Sequence, residues 1–285
     1  MSESIDVEPL LPTASQYIAN FSVGFLRFGN NYNEEDLSPA GSGALVSIDS
    51  VHGILTAAHV LKALPLHGRV GLIRFTPSPT IQRLSIDLAY SDRLVIGGDG
   101  QSDDPEPKSP DIGFLRLTTR DVTTLEAAGS VFFNLANRRQ SILAGVPSGN
   151  FYFEGIAGIV PEWSLDGLQE EGKYLLRGFR GMFGVGLVQR EYELDGFDLS
   201  SFATSQVPPS KSPLSYKGVS GGALWRIYIS KDVNGHTFVS DKQIFGCAFH
   251  QSPVIDKQRV ITCHGPKSVY GKLYDDVQKR WASAA

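Results

Sequence analysis

Short apolar runs, each closed off by glycine, proline or an Asp/Asn-rich turn, recur through all 285 residues. The 30 glycines and 16 prolines are spread along the chain, and both residue types disfavour helix interiors. A chain punctuated this often favours many short strands joined by turns. With 41% hydrophobic residues it can bury one large core or two smaller ones. A formal net charge of -4 offers no basic footprint for nucleic acid.

Residues 1–15 read as a flexible lead-in: they are acidic and polar, without the basic and apolar regions of a secretory signal. No apolar run reaches the length of a membrane-spanning helix, so no membrane partner is expected. Cys247 and Cys263 are too few for a disulfide scaffold. They read as reduced core thiols in a cytoplasmic protein, and no metal-ligand spacing or cofactor motif is present.

Strand-like segments run from Tyr17 to Phe28, Ala44 to Ile48, Arg69 to Phe75, Ile81 to Tyr90 and Asp111 to Leu117. Another, from Ile54, ends just before His59. Thr118 to Asn134 reads as a link to a second group. That group comprises Ser141 to Val146, Phe151 to Val160, Tyr174 to Phe179, Ala223 to Ile229 and Gln243 to His250. Val260 to His264 and Ser268 to Leu273 read as a last strand pair. Arg190 to Tyr216, with Pro208, Pro209 and Pro213, reads as a long polar loop. Leu273, Val277 and Trp281, four apart, mark one face of a C-terminal helix.

Three short motifs carry chemistry. Lys217-Gly218-Val219-Ser220-Gly221-Gly222-Ala223-Leu224 sets one serine among three glycines before an apolar run. Such a turn can present a hydroxyl while neighbouring N–H groups point the same way, which suits a nucleophile with an oxyanion hole. Thr56-Ala57-Ala58-His59 puts a histidine beside small residues that leave its ring room to face a cleft. Asp111 opens the apolar run Ile112 to Leu117. A serine needs a base, histidine suits that role near neutral pH, and a buried carboxylate orients the histidine. The other histidines, His52, His67, His236 and His264, read as solvated turn residues.

Taken together, these motifs resemble the chymotrypsin/trypsin-like serine peptidases, over about residues 20–283. Gly41-Ser42-Gly43-Ala44-Leu45-Val46 is similar to the strand before the histidine in bacterial trypsin-like members. Val269-Tyr270 and the segment after it resemble the family's last strand and terminal helix. The resemblance implies an all-β fold of two antiparallel six-stranded β-barrels with a short C-terminal helix. The first barrel would span about 16–120, the second about 130–272 and the helix about 273–283. It also implies Ser220 as nucleophile, His59 as general base, Asp111 as its orienting acid, and an oxyanion hole from the N–H groups of Gly218 and Ser220. No cofactor or metal is implied.

Two departures individualise the chain. Val219 stands where zymogen-activated members carry an aspartate, so an enzyme active as made or switched by a partner protein is expected. Leu214 aligns with the floor of the specificity pocket. With Phe249, His250, Gln251 and Ser268 as walls, it implies an apolar or small side chain before the cleaved bond. The expected activity is a serine endopeptidase acting on a protein or peptide substrate, in the setting of a bacterial stress or defence system. The alternative is a catalytically silent, peptidase-like binding module. Gly218-Val219-Ser220-Gly221-Gly222 also fits the nucleophile elbow of α/β-hydrolases. That fold needs its acid and histidine after the serine, and a helix there, where this chain reads as strand.

Overall fold

The computed structural model describes residues 6–28, 38–75, 83–98, 104, 106–145, 151–164, 175–204, 218–253 and 260–281. The chain is all-β in two antiparallel sheets with a short C-terminal helix. The first group of strands comprises β1 (Ser22–Arg27), β2 (Ser38–Ile48), β3 (Val51–Thr56), β4 (Arg69–Arg74), β5 (Arg83–Asp87), β6 (Asp92–Gly97) and β7 (Asp111–Arg116). They pair in the order β5-β4-β1-β2-β3-β7-β6, and β8 (Phe133–Asn134) lies parallel to β2. The second group comprises β9 (Phe151–Ser164), β10 (Leu175–Leu194), β11 (Phe197–Thr204), β12 (Ala223–Lys231), β13 (Thr237–Gln251) and β14 (Val260–His264). These close as a six-stranded barrel in the order β10-β11-β14-β13-β12-β9. Closure leaves the second sheet no free edge.

The first sheet departs from a closed six-stranded ring. Its two edges, β5 and β6, are consecutive in the chain and separated by a single 3-10 turn at Leu88–Tyr90. Asp87 starts that turn by accepting the Ala89 N–H at 3.0 Å. One strand of a ring is thus split, and the chain itself joins the two edges.

The described residues also include α1 (Leu11–Ala19), α2 (Ala58–Ala63), α3 (Thr119–Ala127), α4 (Ala136–Leu143) and α5 (Tyr274–Trp281). Several expectations are corrected here. The supposed lead-in is helical from Glu8 onward, through a 3-10 turn into α1. Leu10, Ala14 and Ile18, spaced by four, bury on one face, and Pro9 and Pro12 sit at helix starts where proline is tolerated. The stretch linking the halves holds α3, whose Thr118 caps the Asp121 N–H at 3.2 Å. The strand expected from Ser141 is the end of α4. The loop expected from Arg190 is instead the hairpin of β10 and β11 as far as Thr204. Asp195 and Gly196 turn it with φ of 51° and 74°, the paired left-handed angles of a two-residue hairpin turn. Ser268 to Leu273 is a π-helical turn leading into α5.

One core crosses between the halves. Trp225 of β12 is fully buried, with its ring centroid 5.6 Å from Phe21 and 5.3 Å from Phe133. Trp281 of α5 lies 5.8 Å from Phe114 of β7, so the C-terminal helix seals the first sheet. Among the described residues no helix is long and apolar enough to cross a membrane.

The second barrel also buries an ion pair. Arg226 (β12) and Glu154 (β9) face each other in register. Arg226 donates to Glu154 Oε1 from Nη2 at 2.6 Å and from Nε at 3.1 Å, while Oε2 accepts the Val188 N–H at 2.9 Å. The guanidinium lies 3.6 Å from the Phe245 ring centroid. Removing one partner strands the other charge in the interior. Glu154→Leu should therefore destabilise the fold by about 3–5 kcal/mol, whereas Glu154→Leu with Arg226→Met should recover most of that loss. Urea unfolding of the two variants measures both.

Candidate active site

His59 is the second residue of α2, directly after the buried pair Ala57 and Ala58. Asp111 is the first residue of β7. Pairing of Thr56 with Gly113 across β3 and β7 brings their two segments together. Both carboxylate oxygens are engaged by one residue. Asp111 Oδ1 accepts the His59 main-chain N–H at 2.9 Å, and Oδ2 lies 2.5 Å from Nδ1. An ionised carboxylate only accepts, so it holds the proton on Nδ1 and leaves Nε2 as the basic nitrogen. His59 and Asp111 side chains are only 14% and 9% exposed, which strengthens their interaction relative to water. Gly98, with φ of 78°, packs against this pair, and Gly97, with φ of 68°, packs against Pro110. A Cβ on Gly98 would stand 2.9 Å from the His59 nitrogen and 3.1 Å from Asp111 Oδ1.

Ser220 sits on a turn whose carbonyls, and the N–H groups that follow the serine, are committed. Gly222 N–H donates to Val219 O at 2.7 Å, Gly221 N–H to Ala248 O at 2.6 Å, and Ala248 N–H to Gly222 O at 2.9 Å. Cys247 Sγ lies 3.6 Å from Gly221 O, and two further carbonyls go to Ser42 of β2. Its N–H donates to Ser220 O at 2.7 Å, and its hydroxyl donates to Gly218 O at 2.5 Å. That hydroxyl also accepts the Ile159 N–H at 2.8 Å, and Ser42 O accepts from Thr56 Oγ1 at 2.6 Å. Ser42 is completely buried. Gly221 lies so close to Thr56 and Ala57 that a Cβ would stand 3.0 Å from the Ala57 nitrogen. The serine turn is therefore seated on the residues that lead into His59. Among the described residues, the N–H groups of Gly218, Val219 and Ser220 have no partner. Gly218 has φ of 106°, a conformation open to glycine, and its missing Cβ lets it approach Ile159 O. Val219 is buried with Ile156, Val160, Phe202, Leu224 and Phe245.

The expected pocket residues divide. Leu214 lies outside the described residues. Phe249 is a core residue, stacked on His264 with ring centroids 4.5 Å apart, and does not form an open wall. Ser268 is buried and committed: its hydroxyl donates to Asp198 Oδ1 at 2.6 Å, and its N–H donates to the same oxygen. The start of the π-helical turn needs that cap, so Ser268 faces inward. His250 is partly buried, and its Nε2–H donates to Asp104 O at 3.1 Å. Gln251 is also partly buried, with Oε1 lacking a partner among the described residues.

His264 corrects the sequence reading most sharply. It is fully buried at the end of β14, and its Nε2 accepts the Asp111 main-chain N–H at 2.9 Å. Burial pushes its pKa down to about 4, against the pull of the Asp111 and Asp198 charges. Local sequence hid this residue, because Gly265 and Pro266 beside it mimic a solvated turn. His67 and His236 are exposed, as turn residues would be, and His52 is half-buried against Phe132. Cys247 and Cys263 are free and buried, and burial raises both thiol pKa values. Among the described residues no three His, Cys, Asp or Glu side chains converge as metal ligands would.

No protein-family model and no curated protein matches this chain. One similar solved structure comes from work on how aromatic interactions drive the coupled folding and binding of the intrinsically disordered Sesbania mosaic virus VPg protein. The match is 15% identical, covers 89% of this chain and 90% of that one, and has a TM-score of 0.41. A likeness at that level carries neither fold nor activity across.

Two stability measurements follow from this geometry. Ser42→Ala leaves Gly218 O and the Ile159 N–H without their shared partner and should cost about 2 kcal/mol or more in urea unfolding. The second concerns His264, whose folded-state pKa is depressed below the unfolded value of 6.5. The unfolded chain therefore binds the proton first, and stability falls as pH drops from 6.5 towards 4. His264 should contribute a loss of about 3 kcal/mol over that window, visible as a flatter pH–stability curve in His264→Gln.

Proposed function

We propose that this chain is a cytoplasmic serine endopeptidase, with Ser220 as nucleophile, His59 as general base and Asp111 as the acid that orients it. The observation that carries this reading is the double engagement of Asp111 by His59, beside a glycine-rich serine turn seated on Thr56 and Ala57. His59 Nε2 takes the Ser220 proton as Oγ attacks a scissile carbonyl. The same proton passes to the leaving amine, and an acyl-enzyme remains on Ser220. His59 then activates water by the same route to release the acid.

The N–H groups of Gly218 and Ser220 meet the developing oxyanion, and each such donor is worth about 3–4 kcal/mol in comparable sites. That role requires N–H groups not already committed to the protein, and among the described residues these two are uncommitted. Val219 supports an enzyme that needs no newly cut N-terminus, because its side chain is packed in the barrel core. The substrate is a protein or peptide, and regulation falls to a partner protein.

A fluorophosphonate probe should label wild-type protein at Ser220, located by peptide mass mapping, and Ser220→Ala should not label. Asp111→Asn should slow hydrolysis of a peptide library about 10⁴-fold. Wild-type protein that folds but takes no label and cleaves no library peptide would favour the binding-module alternative.

A further inference from the structure

We infer that His264 is a positioning residue for this site, its bare Nε2 holding the Asp111 main chain in place from the opposite barrel. The inference rests on the assignment of His59, Asp111 and Ser220 as a triad. Asp111 begins β7, where the ladder with β6 ends at its pairing with Gly97. Its N–H is met 153 residues further on by His264. The His264 ring is clamped by Phe249, stacked at 4.5 Å, and by Phe197, edge-on at 5.7 Å. Leu199 of β11 and Cys247 of β13 flank His264 in the strand register. The ring therefore cannot swing without disturbing the second barrel.

The consequence is geometric. Asp111 reaches His59 with both carboxylate oxygens, one to the main chain and one to the ring. That fork tolerates little drift of the Asp111 backbone. Ser220 belongs to the second barrel and His59 to the first half. A second-barrel grip on Asp111 therefore keeps the acid–base pair in register with the nucleophile.

The chemistry requires one tautomer. Asp111 N–H is a donor, so Nε2 must carry a lone pair and the proton must sit on Nδ1. Among the described residues Nδ1 has no hydrogen-bond partner. An aromatic hydrocarbon ring would avoid that orphaned N–H but would orphan the Asp111 N–H instead. The titratable groups around the ring are the Asp111 and Asp198 carboxylates and the neutral thiols of Cys247 and Cys263. A second proton would set Nε2–H against the Asp111 N–H, donor to donor, and release the grip.

The test uses the full chain. Ring ¹⁵N NMR at pH 7 should show His264 neutral and protonated on Nδ1, whereas an Nε2-protonated ring overturns the proposal. His264→Phe keeps the stacking and removes the acceptor. It should speed Asp111 amide exchange about tenfold or more and lower kcat by a similar factor with KM little changed. His264→Gln, which restores an acceptor, should recover both. A folded His264→Phe protein with wild-type Asp111 exchange and kcat overturns the proposal. Should that variant not fold, the tautomer and His264→Gln decide, and a folded Gln variant with a freely exchanging Asp111 amide is equally fatal. Failure of the triad assignment itself would show separately, as absent labelling of wild-type Ser220, and leaves the amide-exchange result standing.

Discussion

One buried hydroxyl group holds the two halves of the molecule in register. Ser42 stands on a first-sheet strand, yet its main chain and side chain serve Ser220, Gly218 and Ile159, all of the second half. Its own carbonyl is answered by Thr56, three residues before His59. A polar group in the interior must find partners, and here the partners are the backbone groups of the serine turn. The same bonds that satisfy Ser42 fix which way the Gly218 and Ser220 carbonyls point. Because peptide units are planar, they also fix the next N–H along, that of Val219 and Gly221. Close approach of the backbones at Gly41, Gly218 and Gly221 makes this possible, since a Cβ at any of them would collide with the neighbouring segment.

The candidate site was legible in the sequence where chemistry is local. Ser220 among its glycines, His59 after two alanines and Asp111 before an apolar strand each carry a signature within a few residues. Ser42 was visible only as part of Gly41-Ser42-Gly43, and its four-way role depends on partners 14, 117, 176 and 178 residues away. His264 was misread because its neighbours Gly265 and Pro266 speak for a turn, while its burial comes from Phe197 and Phe249 on other strands. The burial of two expected pocket residues was hidden for a related reason. Ser268 and Phe249 were assigned by alignment to a wall, but each is drawn inward, by Asp198 and by His264 respectively.

The strand-rich character followed from the glycine and proline punctuation, the two-barrel arrangement was implied only by the family resemblance, and the element boundaries followed from neither. The polar stretch after Arg190 strands because every second residue can face the solvent on a barrel exterior, and Asp195-Gly196 supplies the turn. The N-terminal helix was hidden by prolines that sit at helix starts rather than in the interior. The Arg226–Glu154 pair shows the same limit. In sequence it is two charges in separate strands, and only barrel closure places them opposite each other, where they face inward among aromatic rings.

The bond from Asp111 to His264 has a consequence for how the molecule comes into being. It joins residues 153 positions apart, and the serine turn similarly waits for Ala248. A chain emerging from the ribosome presents its histidine and aspartate early and its serine much later. The last strand, β14, must then pair with β11 and β13 before His264 can reach the aspartate. A nascent chain stalled anywhere before residue 264 thus lacks the acceptor for the Asp111 N–H, and the final strand supplies it last.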